Sequence, residues 1–280
     1  MNAKNEYNST VCGRIDITPR LSVFRVNPDG DGYSFIAGQY TVLGLKRSAP
    51  RVPEAEPETD DAAGGEKRAK ASDPGRMIKR AYSLTSDSRD TGYLEFYVSL
   101  VTSGELTPRL FMLGEGDRLF VGPRAKGLFT MEDVPDDMNI LLIATGTGLA
   151  PYVSMLRSNV LGRPAQSVAV VHGASYSWDL GYRGELEVMS RNSPNLRYAP
   201  IVSRPDGDPD WRGRTGRLTP WLSGGDLSEI CAFEVNPETT HIFLCGHPRM
   251  VDDAQNHFEG QLFARGSRKE PGNLHLEKYW

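Results

Sequence analysis

Asn139-Ile-Leu-Leu-Ile-Ala-Thr145, running straight on into Gly146-Thr-Gly148-Leu-Ala-Pro151, is the stretch on which the fold turns. Ile140 to Ala144 are apolar without alternation, the pattern of a strand buried on both faces of a parallel sheet. Two glycines then permit a tight turn, and Pro151 suits the first turn of a helix, where its missing N–H would have had no partner anyway. The same grammar recurs downstream. Val168 to Val171, Arg197 to Val202 and His241 to Leu244 read as further buried strands. Ala150, Val153, Leu156 and Val160, then Tyr182, Leu186 and Met189, then Val251, Ala254, Phe258 and Leu262 keep helical spacing after the first, second and fourth strands. Residues 134–280 are therefore expected to form an α/β domain on a parallel, Rossmann-like sheet.

Upstream the pattern changes. Val11 to Thr18, Leu21 to Val26, Gln39 to Leu45, Arg80 to Thr85, Tyr93 to Val98 and Arg118 to Val121 are short apolar stretches separated by turn residues, which predicts an antiparallel β-barrel over residues 1–133. A helix is expected at Thr107 to Leu113, with Pro108 in its first turn. The acidic, proline-containing stretch between Thr130 and Asn139 reads as the linker. Lys46 to Lys79 is rich in Pro, Gly and charge and poor in apolar residues, so it reads as a flexible insertion or as a partner-binding loop.

Three places carry residue types suited to phosphate and ring recognition. In Arg80-Ala81-Tyr82-Ser83-Leu84-Thr85-Ser86, strand alternation puts Arg80, Tyr82 and Leu84 on one side and Ala81, Ser83 and Thr85 on the other. Arg80 suits a phosphate, Tyr82 can stack on a ring, and Ser83 can donate to a ring nitrogen. Alone, such a segment is more often an ordinary amphipathic strand, and a second phosphate-type motif farther along the chain is what turns the reading. Gly104 and Leu106, just ahead of Thr107, would place backbone amides beside Arg80 as a second phosphate-binding element.

The turn from Thr145 through Gly146 and Gly148 lets backbone amides approach a pyrophosphate, although Pro151 stands where the GxGxxG pattern has its third glycine, and a plain tight turn is the competing reading. The second parallel strand ends His172-Gly-Ala-Ser175 with no carboxylate for an adenosine ribose. The third ends Ser203-Arg204, which suits a 2′-phosphate; Arg212, Arg214 and Arg217 follow, either completing that pocket or forming a solvated basic loop. Cys245, before Gly246, falls at the carboxyl end of the fourth strand, where ligands bind in open α/β sheets and where an inert packed thiol is also common. The chain closes on Glu277-Lys-Tyr279-Trp280, two large aromatics that need a flat surface, whether a bound ring or the core.

Composition removes other classes. Asp and Glu number 36 against 32 Lys and Arg, for a net charge of -4, so general nucleic-acid or membrane-surface binding is not expected. The three cysteines, Cys12, Cys231 and Cys245, have no CxxC spacing, which excludes a disulfide framework and a cluster or zinc cradle and leads us to expect a reducing cytoplasm. The polar Met1 to Thr10 has no apolar signal core, and no apolar run reaches the length of a membrane span.

Taken together, RAYSLTS, GTGLAP, VSR, LCGHP and EKYW, with Phe35-Ile-Ala-Gly38-Gln-Tyr40 and Gly122-Pro123 with Gly127, resemble the bacterial branch of the ferredoxin-NADP reductase family over nearly the whole chain. The resemblance implies FAD on the barrel and NADP on the α/β domain. It implies Arg80, with the amides near Gly104, Leu106 and Thr107, at the flavin diphosphate. Tyr82 would lie against the isoalloxazine and Ser83 near its N5, with Ala81 and Leu84 flanking. It further implies Tyr279 over the face that the nicotinamide must reach, Trp280 at the adenine, and Cys245 with Glu277 lining the hydride-transfer site. Thr145, Gly146, Gly148, Ser203, Arg204, Arg212, Arg214 and Gly246 would hold NADP, and no residue is assigned to a metal. The 46–79 segment is longer than the resemblance leads one to expect between those barrel strands, and Trp280 beyond Tyr279 departs from chloroplast members, which end at tyrosine, and favours the bacterial type.

The expected activity is exchange of a hydride with NADPH and of single electrons with a separate ferredoxin or flavodoxin, by a cytoplasmic monomer. An NADPH-dependent flavin reductase, or the reductase component of an oxygenase, shares these motifs. A redox-sensing module without turnover is the non-catalytic alternative.

Overall fold

Alternating apolar residues in β1 (Ser9–Thr18) and β2 (Leu21–Pro28) start an antiparallel sheet that continues with β3 (Tyr40–Lys46), β4 (Met77–Ser83), β5 (Leu94–Ser99) and β6 (Arg118–Val121). In the computed structural model, which describes residues 6–30, 32–58, 73–90, 92–158, 160–162, 166–223, 227–266 and 272–278, these strands lie in the order β4-β3-β6-β1-β2-β5. The two edges meet: Leu84 bridges Phe96, and the Thr85 N–H donates to the Glu95 carbonyl at 2.9 Å, so the sheet curls into a barrel. Leu43, Leu45, Ile78, Leu84, Phe96 and Val121 fill it, each stabilising by about 1.5–3 kcal/mol through burial.

The first helix, α1 (Thr107–Leu110), is shorter than expected. The sequence predicts helix to Leu113, but the Arg14 guanidinium takes the carbonyls of Phe111 and Leu113, both at 2.8 Å, and the chain unwinds into turns.

The expectation of a flexible insertion over 46–79 is corrected at both ends. Val52 is buried in the barrel core, its N–H donates to Pro108, and the Glu56 N–H donates to Thr102. On the return side Arg47 and Ser48 donate to Arg76 and Pro74, extending the β3–β4 pairing. One apolar residue with its backbone bonds satisfied is enough to anchor a segment whose composition looks unstructured. The middle of the segment, 59–72, lies outside the described residues.

The second sheet is parallel throughout. It is built from β7 (Asn139–Thr145), β8 (Val168–Ala174), β9 (Leu196–Val202), β10 (Arg214–Thr215), β11 (Thr240–Gly246) and β12 (Leu274–Lys278), in the order β10-β9-β8-β7-β11-β12. Ile140 to Ala144 on β7 are fully buried, as an uninterrupted apolar strand requires. Packed against this sheet are α2 (Ala150–Arg157), α3 (Arg183–Asn192), the short α4 (Leu218–Ser223) and α5 (Leu227–Cys231), and α6 (Pro248–Glu259). Among the described residues no helix is long and apolar enough to cross a membrane.

The chain divides into two compact units, Met1–Gly127 and Leu128–Trp280, rather than at 133/134. The reason is Phe129, which stacks on Tyr152 at 6.0 Å and meets Phe243 edge-on at 5.3 Å, so the expected linker begins inside the second core. Near the chain's end, Leu274–Lys278 forms an edge strand that the sequence reading did not expect, paired to β11 with Leu274 and Leu276 against the core.

Candidate functional site

Sequential strands β7 and β8 run to one side of the parallel sheet, and the chain then returns to place β11 on the other side of β7. The reversal point of such a sheet, at the carboxyl ends of its strands, is where ligands bind. Here that point is occupied by Thr145-Gly146-Thr147-Gly148 from β7 and Cys245-Gly246-His247 from β11.

Those two loops are locked together. The His247 N–H donates to Thr145 Oγ1 at 3.0 Å. A Cβ on Gly148 would overlap the Cys245 carbonyl and lie 2.7 Å from the Gly246 Cα, while Gly246 itself has φ +135° and faces the Thr145 backbone. Gly146 has φ +54° with open space beside it. Both glycines of the turn are therefore needed, Gly146 for its conformation and Gly148 for close approach. After a single tight turn over Gly146–Leu149, α2 begins with Pro151 at its start.

Cys245 and Glu277 come together. They are direct partners across the parallel pair of β11 and β12, and Cys245 is fully buried. Sequence reasoning missed their neighbour Tyr152, which follows Pro151. Its hydroxyl donates to the Phe243 carbonyl at 2.7 Å, with the Ile143 carbonyl at 3.1 Å, tying α2 to β7 and β11. Burial first, and the nearby Cys245 and Glu277 charges second, push its phenol well above the usual range. Tyr279 and Trp280 lie outside the described residues.

At the end of β9, the Ser203 and Arg204 N–H groups donate to the Ala174 and Ser175 carbonyls, drawing the β8 and β9 ends side by side. The Arg204 guanidinium stands 6.0 Å from the Tyr176 ring, and Tyr176 stacks on Trp178 at 4.7 Å. This aromatic platform escaped the sequence reading, although Tyr176-Ser-Trp178 directly follows the second strand. The candidate arginines separate. Arg214 sits on β10, opposite Ile201 and close to the end of β9. The Arg212 guanidinium instead donates to the Pro209 and Trp211 carbonyls of its own loop.

In the first unit, β4 carries the remaining candidates. Arg80 is half exposed and donates to Glu105 Oε2 at 2.6 Å; Ala81 is exposed. Tyr82 lies partly buried against the barrel core and burial raises its phenol pKa, so the ring stays neutral. Ser83 and Leu84 are buried. Thr107 Oγ1 donates to the Val101 carbonyl at 3.1 Å and accepts from its N–H at 3.0 Å, and the Gly104 N–H donates to the same carbonyl. The bend so formed leaves the amides of Glu105, Leu106 and Thr107 without partners among the described residues, beside Arg80 through Glu105. Backbone donors left open next to a guanidinium are what a diphosphate requires, so the residues present fit one.

Among the described residues no cluster of His, Cys, Asp or Glu is suited to a metal. Residues 142–256 match the oxidoreductase NAD-binding domain family. The chain is 34% identical over 251 residues to the flavodoxin/ferredoxin–NADP reductase of Escherichia coli (strain K12), covering 88% of each. It is 34% identical over 207 residues to ferredoxin–NADP reductase B of Sorangium cellulosum (strain So ce56), covering 74% of this chain and 80% of that one. A ferredoxin NADP+ reductase from Neisseria gonorrhoeae, solved with bound FAD and NADP, shares the fold with a TM-score of 0.79 at 23% identity, over 98% of this chain and 99% of that one. With such identity running through barrel and parallel sheet alike, the chain belongs to the flavodoxin/ferredoxin–NADP reductase family.

Proposed function

We propose that this protein is an FAD-dependent reductase that exchanges a hydride with NADPH and single electrons with a ferredoxin or flavodoxin, working as a monomer in the cytoplasm. The observation that carries the reading is the register of Cys245 on Glu277 next to the Thr145–Gly148 turn, which gathers a thiol, a carboxylate and a phosphate-type loop at the reversal point of a parallel sheet. The relatives' names supply the coenzyme and the electron partner.

Flavin, when bound, supplies the conversion between two-electron and one-electron chemistry. The residues of this chain hold and orient. In the first unit Arg80 and the amides at Gly104, Leu106 and Thr107 take the diphosphate, Tyr82 lies against the ring between Ala81 and Leu84, and Ser83 offers its hydroxyl to the ring edge. In the second, Thr145, Gly146, Gly148 and Gly246 hold the coenzyme pyrophosphate. Ser203, Arg204 and Arg214 hold the 2′-phosphate, with Tyr176 against the adenosine. Arg212 serves its own loop and is left out of the pocket. Cys245 and Glu277 would position the nicotinamide; the roles of Tyr279 at the flavin ring and Trp280 at the adenine are carried by the resemblance alone.

The experiment is the absorbance spectrum of the purified protein before and after anaerobic NADPH. A flavin spectrum that bleaches on addition is expected. A colourless protein, or a yellow one indifferent to NADPH, removes the reading. Salt-sensitive reduction of an acidic ferredoxin, set against salt-insensitive ferricyanide reduction, then tests the partner.

A further inference from the structure

Arg80 does not stand alone. The segment between β3 and β4 contributes Arg47, Arg51 and Arg76, α1 contributes Arg109, and all five guanidinium groups gather around two carboxylates, Glu58 and Glu105. The Arg109 Nη1 donates to Glu58 Oε1 at 2.6 Å, Arg47 Nη2 lies 3.1 Å from Glu58 Oε2, and Arg51 Nε is 3.8 Å from Oε1. Glu105 accepts from Arg80 at 2.6 Å and from Arg76, with Arg47 Nη1 at 3.7 Å. Five cations against two anions leave an excess of positive charge among the described residues. Two of the donors, Arg51 Nε and Arg76 Nε, are buried and make no hydrogen bond among the described residues.

The two carboxylates do different work. Glu58 is tied to Arg109, a 3% exposed side chain whose guanidinium also donates to the Arg47 and Glu105 carbonyls, so that half of the cluster fastens the segment to the barrel. Glu105 sits on the open side, 29% exposed, between Arg76 at 32% and Arg80 at 48%. Partly desolvated guanidinium groups gathered around fewer carboxylates favour an incoming anion, the more so where donors, as on Arg51 and Arg76, lack a hydrogen-bond partner. A diphosphate is a better match than Glu105, with more charge and more acceptor oxygens.

We propose that Arg47, Arg51 and Arg76 complete a diphosphate clamp with Arg80, and that Glu105 is its built-in competitor, holding Arg76 and Arg80 in place until the anion displaces it. The 46–79 segment is then part of the cofactor site through its two ends. The proposal rests on the reading of Arg80 as the flavin-diphosphate residue.

The test is calorimetric titration of the full chain, stripped of flavin, with inorganic pyrophosphate and separately with FAD, using wild type, Glu105→Gln, Arg47→Ala and Arg76→Ala, with melting temperatures alongside. Glu105→Gln is expected to bind pyrophosphate and FAD several-fold more tightly, on the scale of one removed like charge, and each arginine variant about tenfold more weakly. Tighter binding by Glu105→Gln is a result that a merely structural ion pair does not produce. Weaker or unchanged pyrophosphate binding by Glu105→Gln overturns the clamp, as does an arginine series that lowers the melting temperature but not the affinity. The pyrophosphate pattern without FAD binding leaves the clamp standing and removes the flavin reading. FAD binding without the pyrophosphate pattern does the reverse.

Discussion

Cys245 and Glu277 are direct register partners across the parallel strands β11 and β12, at the carboxyl edge of the second sheet, beside Tyr152, whose proton is held on first by burial and second by these two neighbours. Their roles are separable because one is a buried strand residue and the other lies on an edge strand. Cys245→Ala and Glu277→Gln are each expected to slow NADPH-dependent reduction by about 10²-fold, with less-than-additive loss in the double variant. Steady-state kcat and KM for NADPH, with flavin content as the control, check this; full additivity would mean that the two act independently.

Gly148 separates close approach from conformational freedom. Gly148→Ala is expected to destabilise by about 1–3 kcal/mol, since its Cβ would meet the Cys245 backbone, which cannot give way without moving β11. Gly146→Ala meets no atom and carries only the cost of a positive φ, about 1 kcal/mol. Denaturant titration of both variants ranks them; the reverse order would overturn this account of the turn.

Arg204→Ala is expected to weaken NADPH by about 1.5–3 kcal/mol while sparing NADH, because only the 2′-phosphate is lost as a partner. Arg212→Ala should change neither, as its guanidinium is spent on the Pro209 and Trp211 carbonyls. Equal losses with the two coenzymes for Arg204→Ala would place this arginine elsewhere.

His172 and His275 set the acid limit of stability. Burial lowers both to about 4, helped in His275 by its neighbour His241. The unfolded chain takes up protons at these residues near the ordinary value of about 6.5, whereas the folded chain refuses them until about 4. Their contribution is therefore complete above about pH 6.5 and is lost as the pH falls towards 4, on the order of 2–3 kcal/mol for each. Melting temperatures from pH 7.5 to 4.5 should fall less steeply in His172→Gln/His275→Gln than in wild type; parallel curves would assign acid sensitivity to other groups.

Val52 tests the anchoring of the segment between β3 and β4. Val52→Asp should destabilise the protein by at least about 2 kcal/mol, because it puts a carboxylate into the barrel core. A flexible insertion would tolerate the change, so an unaltered melting temperature would return the segment to that description.

The six barrel strands, four of the six parallel strands, the helices after β7, β8 and β11, the two-domain plan and the chemical character of each candidate loop were legible in the sequence, since period-2 and unbroken apolar runs report burial one residue at a time; β10, β12, α4 and α5 were not. Ile140 to Ala144 and the Gly146/Gly148 turn needed no other information. Residues whose meaning depends on a distant partner were not legible. Glu277 read as part of a tail because nothing local marks Leu274–Lys278 as a strand; the open edge of β11 makes it one. Val52 was invisible among charges and prolines until the barrel offered it a core. Arg212 and Arg214 are chemically alike, and only the fold turned one onto its own loop and paired the other with β9. Tyr152 and Glu105 drew no notice as single letters, because a phenol between two strands and a carboxylate among arginines exist only once the chain has closed. Local pattern determined which surfaces were buried and where the turns fell; the sheet register decided which side chains would face one another, because that choice is made by pairing energies summed over whole strands and by no residue alone.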